Sequence, residues 1–332
     1  MKRVVIVGGT GNISTSISRL LVEKGFDVTC FNRGQNRSEA IPESVHFIEG
    51  DRHDRARFES VMQKQHFDYA IDMICFNEED AQSDIRAFRE VEQFVITSTT
   101  CTYGVRYDYL PVDENHPLRP ITDYGRGKVA ADRAFMDAYE KTGFPVTIIK
   151  PSSTYGNQVG MVGNVGETNL WIDRIRKGKP LLLCGSGNNV HQLLHVDDAA
   201  KGYVGALGKK HCIGEMYNLV REGFIEWRDY YKTGMKVLGK EVEMIAVPLE
   251  ILEKLGYAGR GFTTDIFGYN TIYDHHKIYH DIPEFRPSVS LEDGMRQVIA
   301  YSDAHDMIPN SDNYPIDDKL AAYMKGALAL MK

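Results

Sequence analysis

The sequence predicts an α/β protein: a doubly wound parallel sheet with a smaller, interleaved C-terminal domain. Three observations carry this. Over the first 150 of 332 residues, short apolar runs alternate with longer amphipathic stretches, as strands alternate with the helices that cover a parallel sheet. The first apolar run, Val4-Val5-Ile6-Val7, passes directly into a glycine turn, Gly8-Gly9-Thr10-Gly11. After Pro151 the rhythm changes, with four glycines in residues 156–166 and further turns at Lys177-Gly178-Lys179-Pro180 and Gly185-Ser186-Gly187.

In chain order, strands are predicted over 3–7, 28–31, 45–48, 69–74, 94–98 and 146–150. Apolar residues at helical spacing predict helices over 13–24, 55–65, 78–90 and 124–141. Leu193-Leu194-His195-Val196 followed by Asp197-Asp198 reads as a strand entering an acid-capped helix, which returns the chain to the sheet. The larger domain is therefore expected to span 1–155 with a return segment near 188–215. Residues 156–187 and 216–332 would mainly form the smaller one.

Composition narrows the function classes. A hydrophobic fraction of 42% supplies a sizeable core, while a net charge of -7 and a pI near 5.9 argue against nucleic acid as a partner. Five cysteines, Cys30, Cys75, Cys101, Cys184 and Cys212, form no Cys-x-x-Cys and read as reduced thiols in a cytoplasmic protein. Lys2 and Arg3 precede only a four-residue apolar run, unlike a signal peptide. No run approaches the roughly 18 apolar residues of a membrane span, so no membrane partner is expected.

A strand ending at Val7, the Gly8-x-x-Gly11 turn and a helix starting near Ile13 gather backbone N–H groups and a positive helix end at one point, suited to a pyrophosphate. The next small position is Ser14. The second strand ends Cys30-Phe31-Asn32-Arg33-Gly34, where an NAD-preferring site commonly offers a carboxylate. Asn32 there removes a repulsion toward a 2′-phosphate, and Arg33, with Arg37 nearby, supplies positive charge. The expected cofactor is NAD(P), with NADP favoured over NAD. Asp51, after the third strand, is the candidate acceptor for the adenine amino group, or a turn aspartate.

Tyr124 and Lys128 lie four apart on a predicted helix and share one face. An ammonium beside a phenol favours the phenolate and lowers a pKa that is ordinarily about 10, which suits acid/base work. The run Phe94-Val95-Ile96-Thr97-Ser98-Thr99-Thr100 opens a buried strand into hydroxyl residues at its C-terminal edge, where parallel sheets bind ligands. Thr99 or Ser98 could bond a substrate oxygen. His276 and His280 share a helical spacing, but no third ligand is suitably spaced, and no metal is expected.

The glycine turn, Gly50-Asp51, the hydroxyl strand ending Tyr103-Gly104, Tyr124-x-x-x-Lys128, Pro151, His195-Val196-Asp197-Asp198 and Ser290-Leu291-Glu292-Asp293-Gly294 occur in this order. In this the chain resembles the extended short-chain dehydrogenase/reductase superfamily, the NAD-dependent epimerase/dehydratase family. The resemblance implies a Rossmann-type fold, with Tyr124 as acid/base, Lys128 also on the nicotinamide ribose, and Thr99 as the hydroxyl partner. It also implies a dinucleotide lined by Gly8, Thr10, Gly11, Asn12, Ile13, Asn32, Arg33, Asp51, Arg52, Met73, Thr97 and Pro151, and a substrate met by Ser98, Thr99, Ser153 and His191. A homodimer through 78–90 and 124–141 is implied too.

Departures from the family pattern narrow the reaction. Thr100 and Cys101 stand where similar dehydratases carry two carboxylates, so dehydration is not expected. His191 and Ser153 stand where similar nucleotide-sugar epimerases carry an arginine and an asparagine. The expected activity is hydride transfer to or from a secondary alcohol or ketone of a small, sugar-like substrate. Epimerisation through a transient ketone is the alternative, and a non-catalytic dinucleotide-binding regulatory or RNA-associated role is the competing class.

Overall fold

The structure, a computed structural model, describes residues 1–35, 39–257 and 262–330. Two compact units emerge. One comprises residues 1–154, 194–221 and 273–287; the other comprises 155–193, 222–272 and 288–332.

The first unit is built on a seven-stranded sheet. Its elements are β1 (Arg3–Val7), α1 (Asn12–Glu23), β2 (Asp27–Asn32), β3 (His46–Glu49), α2 (Arg55–Gln63), β4 (Tyr69–Asp72), α3 (Glu78–Ala87), β5 (Gln93–Thr97), α4 (Asp123–Thr142), β6 (Val146–Pro151) and a last strand, Glu215–Leu219. Across the sheet the order is Glu215–Leu219, β6, β5, β4, β1, β2, β3, every pairing parallel. The chain winds outward from β1 through β2 to β3, then restarts at β4 on the other side. That reversal opens a crevice at the C-terminal ends of β1 and β4, the ligand position of open α/β sheets.

Period-two alternation explains why the sheet is buried on both faces. β1 sends Val4 and Ile6 into one core with Ile17, Leu21 and Tyr203, and Val5 and Val7 into the other with Phe58, Phe88, Phe94 and Phe135. Burying each such side chain contributes about 1.5–3 kcal/mol. Side-chain caps start the helices: Asn77 accepts from Asp80 N at 2.8 Å for α3, and Thr122 accepts from Gly125 N at 3.0 Å for α4.

The return to the sheet differs from the expectation. Leu193–His195 pairs only within a two-stranded ladder, and the seventh strand is Glu215–Leu219, beyond the predicted return segment. Three residues are too few to span the sheet before the chain turns into the helix Val196–Ala206, which lies on α1, with Ser16 Oγ donating to Asp197 Oδ1 at 2.7 Å.

The second unit holds a parallel pair, Leu181–Cys184 with Met244–Val247, an antiparallel pair, Val190–His191 with Ile225–Glu226, and helices that include Trp227–Leu238 and Leu291–Ala304. Among the described residues, no helix is long and apolar enough to cross a membrane.

Candidate active site

The glycine turn is closed by a side chain. Ser14 Oγ accepts from Gly11 N at 2.7 Å and donates to Gly8 O at 2.8 Å, so the Gly11 N–H serves the turn rather than a ligand. The N–H groups of the next first-turn residues, Asn12 and Ile13, have no partner within the helix and keep the anion-binding role. Gly8 sits at φ +79, and a Cβ on Gly9 would lie 2.3 Å from Cys30 Sγ, which explains both glycines sterically. Gly11 differs: a Cβ there would meet only Ser14 Oγ at 3.3 Å and Gly8 O at 3.9 Å. The protein itself leaves that space open.

A cleft of about 310 Å³ extends from this turn, lined among others by Gly8, Thr10, Gly11, Asn32, Arg33, Asp51 and Arg52. Asn32 Oδ1 accepts from Gly34 N at 2.8 Å, while its Nδ2 is buried without a partner among the described residues, as is Asn12 Oδ1. Unmatched buried polar atoms are rare in folded proteins; with the open space at Gly11, they fit a bound dinucleotide. Arg33 is exposed on the cleft wall. Against it stands Glu49, opposite Asn32 on β3, whose Oε2 lies 2.9 Å from where a Gly34 Cβ would be. Arg37 lies outside the described residues. Asp51 accepts from His53 N at 2.9 Å, a turn bond, and also lines the cleft. Arg52 lines it only from below, since its buried guanidinium donates to Asp72 Oδ2 at 2.5 Å and Asp84 Oδ1 at 3.2 Å. Burial and the neighbouring Asp72 push the Asp84 carboxyl well above the usual range.

At the other end of the crevice, β5 ends at Thr97 and the chain turns through the 3₁₀ segment Thr100–Tyr103. Thr99 caps that segment, its Oγ1 accepting from Cys101 N at 3.2 Å. Lys128 is buried and donates to Cys75 O at 2.7 Å and Thr97 O at 2.6 Å, which places its ammonium where β4 and β5 end. It sits 5.7 Å from the Tyr124 ring centroid and 4.8 Å from that of Phe76. Two glycines let α4 come so close: a Cβ on Gly127 would lie 2.3 Å from Phe76 O, and one on Gly125 would lie 3.0 Å from Cys101 O.

The phenol corrects an expectation. Tyr124 is 44% exposed, yet partial desolvation pushes its phenol up to about 12, Cys101 adds to the rise, and the nearby Thr99 hydroxyl pulls it back. The Lys128 ammonium donates to the two carbonyls rather than to the phenol oxygen. Burial in turn lowers the Lys128 pKa. Thr97 Oγ1 bonds Met73 Sδ at 3.1 Å, and Pro151 ends β6 beside this group, its carbonyl accepting from Thr100 Oγ1 at 3.4 Å.

Of three further expected substrate residues, two read differently. Ser98 is buried and donates to Asp132 Oδ2 at 2.8 Å, so it faces the protein. Ser153 lies half-buried in the short strand Ser153–Tyr155. His191 belongs to the second unit and cannot act as a cationic anchor. Its ring is fully enclosed, bonded through Nδ1 to Thr271 Oγ1 at 2.5 Å and stacked 5.5 Å from Trp227, and burial drives its pKa down to about 3. His276 pairs with Asp274 and His280 with Asp281; among the described residues, no group of three or more His, Cys, Asp or Glu is placed to hold a metal.

Two residues of this site carried no sequence motif. Asp132, one turn beyond Lys128 on α4, is ion-paired with Lys150 of β6, and both are buried. A lone lysine closing the apolar run Val146-Thr147-Ile148-Ile149 was the available signal, since a buried cation requires a partner.

Known proteins are similar to this chain in sequence and in fold. The chain is 25% identical over 248 residues to 2'-dehydrokanamycin reductase of Streptomyces kanamyceticus, covering 75% of this chain and 70% of the relative. It is 26% identical over 251 residues to the chloroplast stem-loop binding protein of 41 kDa b of Arabidopsis thaliana, covering 72% and 64%. The fold matches that of the UDP-glucose 4-epimerase of Thermotoga maritima at a TM-score of 0.74 and 19% identity, over 91% of this chain and 99% of that one. The sequence model of the NAD dependent epimerase/dehydratase family matches residues 4–87 and 81–219, and the chain belongs to that family.

Proposed function

We propose that the protein is an NAD(P)-dependent oxidoreductase that transfers a hydride to or from a secondary alcohol or ketone of a sugar-like substrate, with Tyr124 as acid/base. The observation that carries this is the convergence of Thr99, Tyr124 and Lys128 at the C-terminal edge of the sheet, with the Thr99 hydroxyl near enough to act on the phenol's pKa and the ammonium fixed by two carbonyls. Tyr124 takes the proton of an alcohol, or gives one to a ketone oxygen, while Thr99 orients that oxygen. The nicotinamide, when bound, supplies the hydride acceptor or donor. Lys128 holds positive charge near the phenol ring, and its position favours the nicotinamide ribose as its further contact.

NADP is inferred over NAD from Asn32 and the exposed Arg33, with Glu49 as the opposing charge. The reductase reading draws support from the Streptomyces kanamyceticus relative, and epimerisation with a retained cofactor draws support from the fold shared with an epimerase. The absence of a cationic side chain at His191 favours a substrate without a diphosphate to anchor. A homodimer through the outer faces of α3 and α4, in a cytoplasmic setting suited to five cysteines outside any disulfide, completes the proposal; sedimentation at micromolar concentration tests the assembly.

The deciding experiment screens sugars, amino sugars and sugar nucleotides with each dinucleotide, wild type beside Tyr124→Phe. A stoichiometric change in nicotinamide absorbance that is lost in the variant is the expected result. Substrate conversion with tightly retained cofactor and no net absorbance change would replace it with the epimerase reading. If Tyr124→Phe leaves every activity intact, the catalytic reading fails and a binding role gains.

A further inference from the structure

Beneath the catalytic trio lies a buried polar network that the proposed chemistry does not use. Lys150 Nζ is ion-paired with Asp132 Oδ2, and both side chains are 2% exposed or less. Around them, Ser98 Oγ donates to Asp132 Oδ2 at 2.8 Å, and Lys150 Nζ donates to Thr102 Oγ1 at 3.1 Å and approaches Ser98 Oγ at 3.5 Å. Thr102 Oγ1 passes the contact on, donating to the carbonyl of Thr99 at 2.8 Å. Asp132 Oδ1 is buried with no hydrogen-bond partner among the described residues.

Stability alone does not account for such a pair. Two charges taken out of water recover their desolvation only with full hydrogen bonding, and well-packed apolar replacements are often neutral or stabilising. Here one carboxylate oxygen is left unmatched, so the pair is a poor device for stability. Its connections point elsewhere. Ser98 and Thr102 bracket Thr99, one residue before and three after. Asp132 sits one helical turn beyond Lys128 and two beyond Tyr124, along the same side of α4. Lys150 immediately precedes Pro151 at the end of β6. The network thus joins α4, the end of β5, the 3₁₀ turn and the end of β6, all the elements that carry the trio.

We propose that Asp132 and Lys150 are positioning residues: their buried ion pair, acting through Ser98 and Thr102, sets the backbone of Thr99 against the helical stripe that bears Tyr124 and Lys128. Neither touches substrate. The assignment rests on the functional reading above for its catalytic consequence, but its geometric content stands apart from it. Holding two groups in reacting geometry is worth a great deal, and a displacement of about 1 Å costs on the order of 10²-fold in rate. An apolar pair of similar volume would fill the same space but would release Ser98 and Thr102.

The test compares Asp132→Asn, Lys150→Met, the double variant Asp132→Leu/Lys150→Leu, and the conservative Lys150→Arg, each as the full chain. Steady-state kinetics uses whichever substrate of the screen the wild type turns over, with Tyr124→Phe alongside. Thermal melting and amide hydrogen exchange over residues 99–104 are measured without substrate. The expected result is a kcat about 10²-fold lower in the double variant with KM changed less than about threefold, a melting temperature equal to or above wild type, faster exchange over 99–104, and substantial recovery of kcat in Lys150→Arg. The single variants leave a lone buried charge and are expected to melt earlier; the double variant is the one that decides. A stable double variant with wild-type kcat and wild-type exchange would overturn the assignment. If Tyr124→Phe proves fully active, the functional reading has failed instead, and the exchange measurement alone then decides whether the pair positions Thr99.

Discussion

The two ends of the crevice are built on opposite plans. At the chemical end, Lys128 is held by two carbonyls, Thr99 by its turn, and the ground beneath them by a buried ion pair. At the adenosine end, the cleft is open, Arg33 is exposed, and Asn32 Nδ2 and Asn12 Oδ1 lack partners among the described residues. A reacting centre profits from atoms fixed before the ligand arrives. A binding end only has to offer matching groups, and it can leave them unmatched until the ligand supplies the other half. The difference teaches that rigidity in this fold is placed where bonds change, with selectivity placed where they do not.

If the chemical end is the prebuilt one, removing its proton carrier should have the largest effect. Tyr124→Phe is expected to lower kcat by about 10³-fold with the dinucleotide dissociation constant nearly unchanged; an equal loss of dinucleotide binding would break the contrast between the ends. Next in size is the packing that brings α4 close. Gly127→Ala gains helix propensity of about 1 kcal/mol, but its methyl group would lie 2.3 Å from a backbone oxygen. Overpacking of this kind costs about 1–3 kcal/mol, so a lower melting temperature is expected despite the better helix former. A raised melting temperature would show that α4 does not need its close approach.

The ligand's share of the chemical end can be read from the phenol. Without dinucleotide, Tyr124 keeps its proton up to about 12, so the phenolate absorbance that distinguishes wild type from Tyr124→Phe should develop only in that range. Added oxidised dinucleotide, which places positive charge beside the phenol, should move the titration downward. The same shift sets a stability trend. An unfolded tyrosine releases its proton near pH 10 while the folded one holds it longer, so stability falls as pH rises between about 10 and 12, but only slightly, because the side chain is 44% exposed and solvent screens the shift. A titration that does not respond to dinucleotide would place the phenol away from the bound cofactor. The smallest effects belong to the adenosine end: Arg33→Ala should lower, and Glu49→Gln should raise, the affinity for NADP relative to NAD by about three- to tenfold, about 1 kcal/mol. Direct dissociation constants for both dinucleotides check this, and unchanged ratios would remove both residues from cofactor choice.

How much of this was legible in the sequence follows the same contrast. β1, β2, β4, β5 and β6 and the helices between them announce themselves by apolar period, because burial on both faces leaves little room for other residues. Tyr124, Lys128 and Thr99 were legible because their chemistry demands particular side chains at particular spacings. Glu215–Leu219 was not, because Glu215-Met216-Tyr217-Asn218-Leu219 mixes polar residues into a sheet strand. Asn218 is buried there only because Tyr103 donates to it and it donates to the Val112 carbonyl, partners more than a hundred residues away. His191 misled for a related reason, since a histidine's charge depends on enclosure by Thr271 and Trp227, which no local pattern records. Asp132 and Lys150 were hidden in the same way: a helix aspartate and a strand-end lysine are ordinary until the fold buries them together.

Lys128 carries one more consequence. A lysine side chain has about 2 kcal/mol of rotamer entropy, and here that freedom is given up when the chain folds, with the ammonium enclosed against two neutral carbonyls rather than a carboxylate. Ligand binding therefore does not have to order it, and the folded state carries the strain from the outset. Natural selection for stability alone would replace this residue with an apolar one. Folding and turnover are thus set against each other at a single nitrogen atom, Lys128 Nζ.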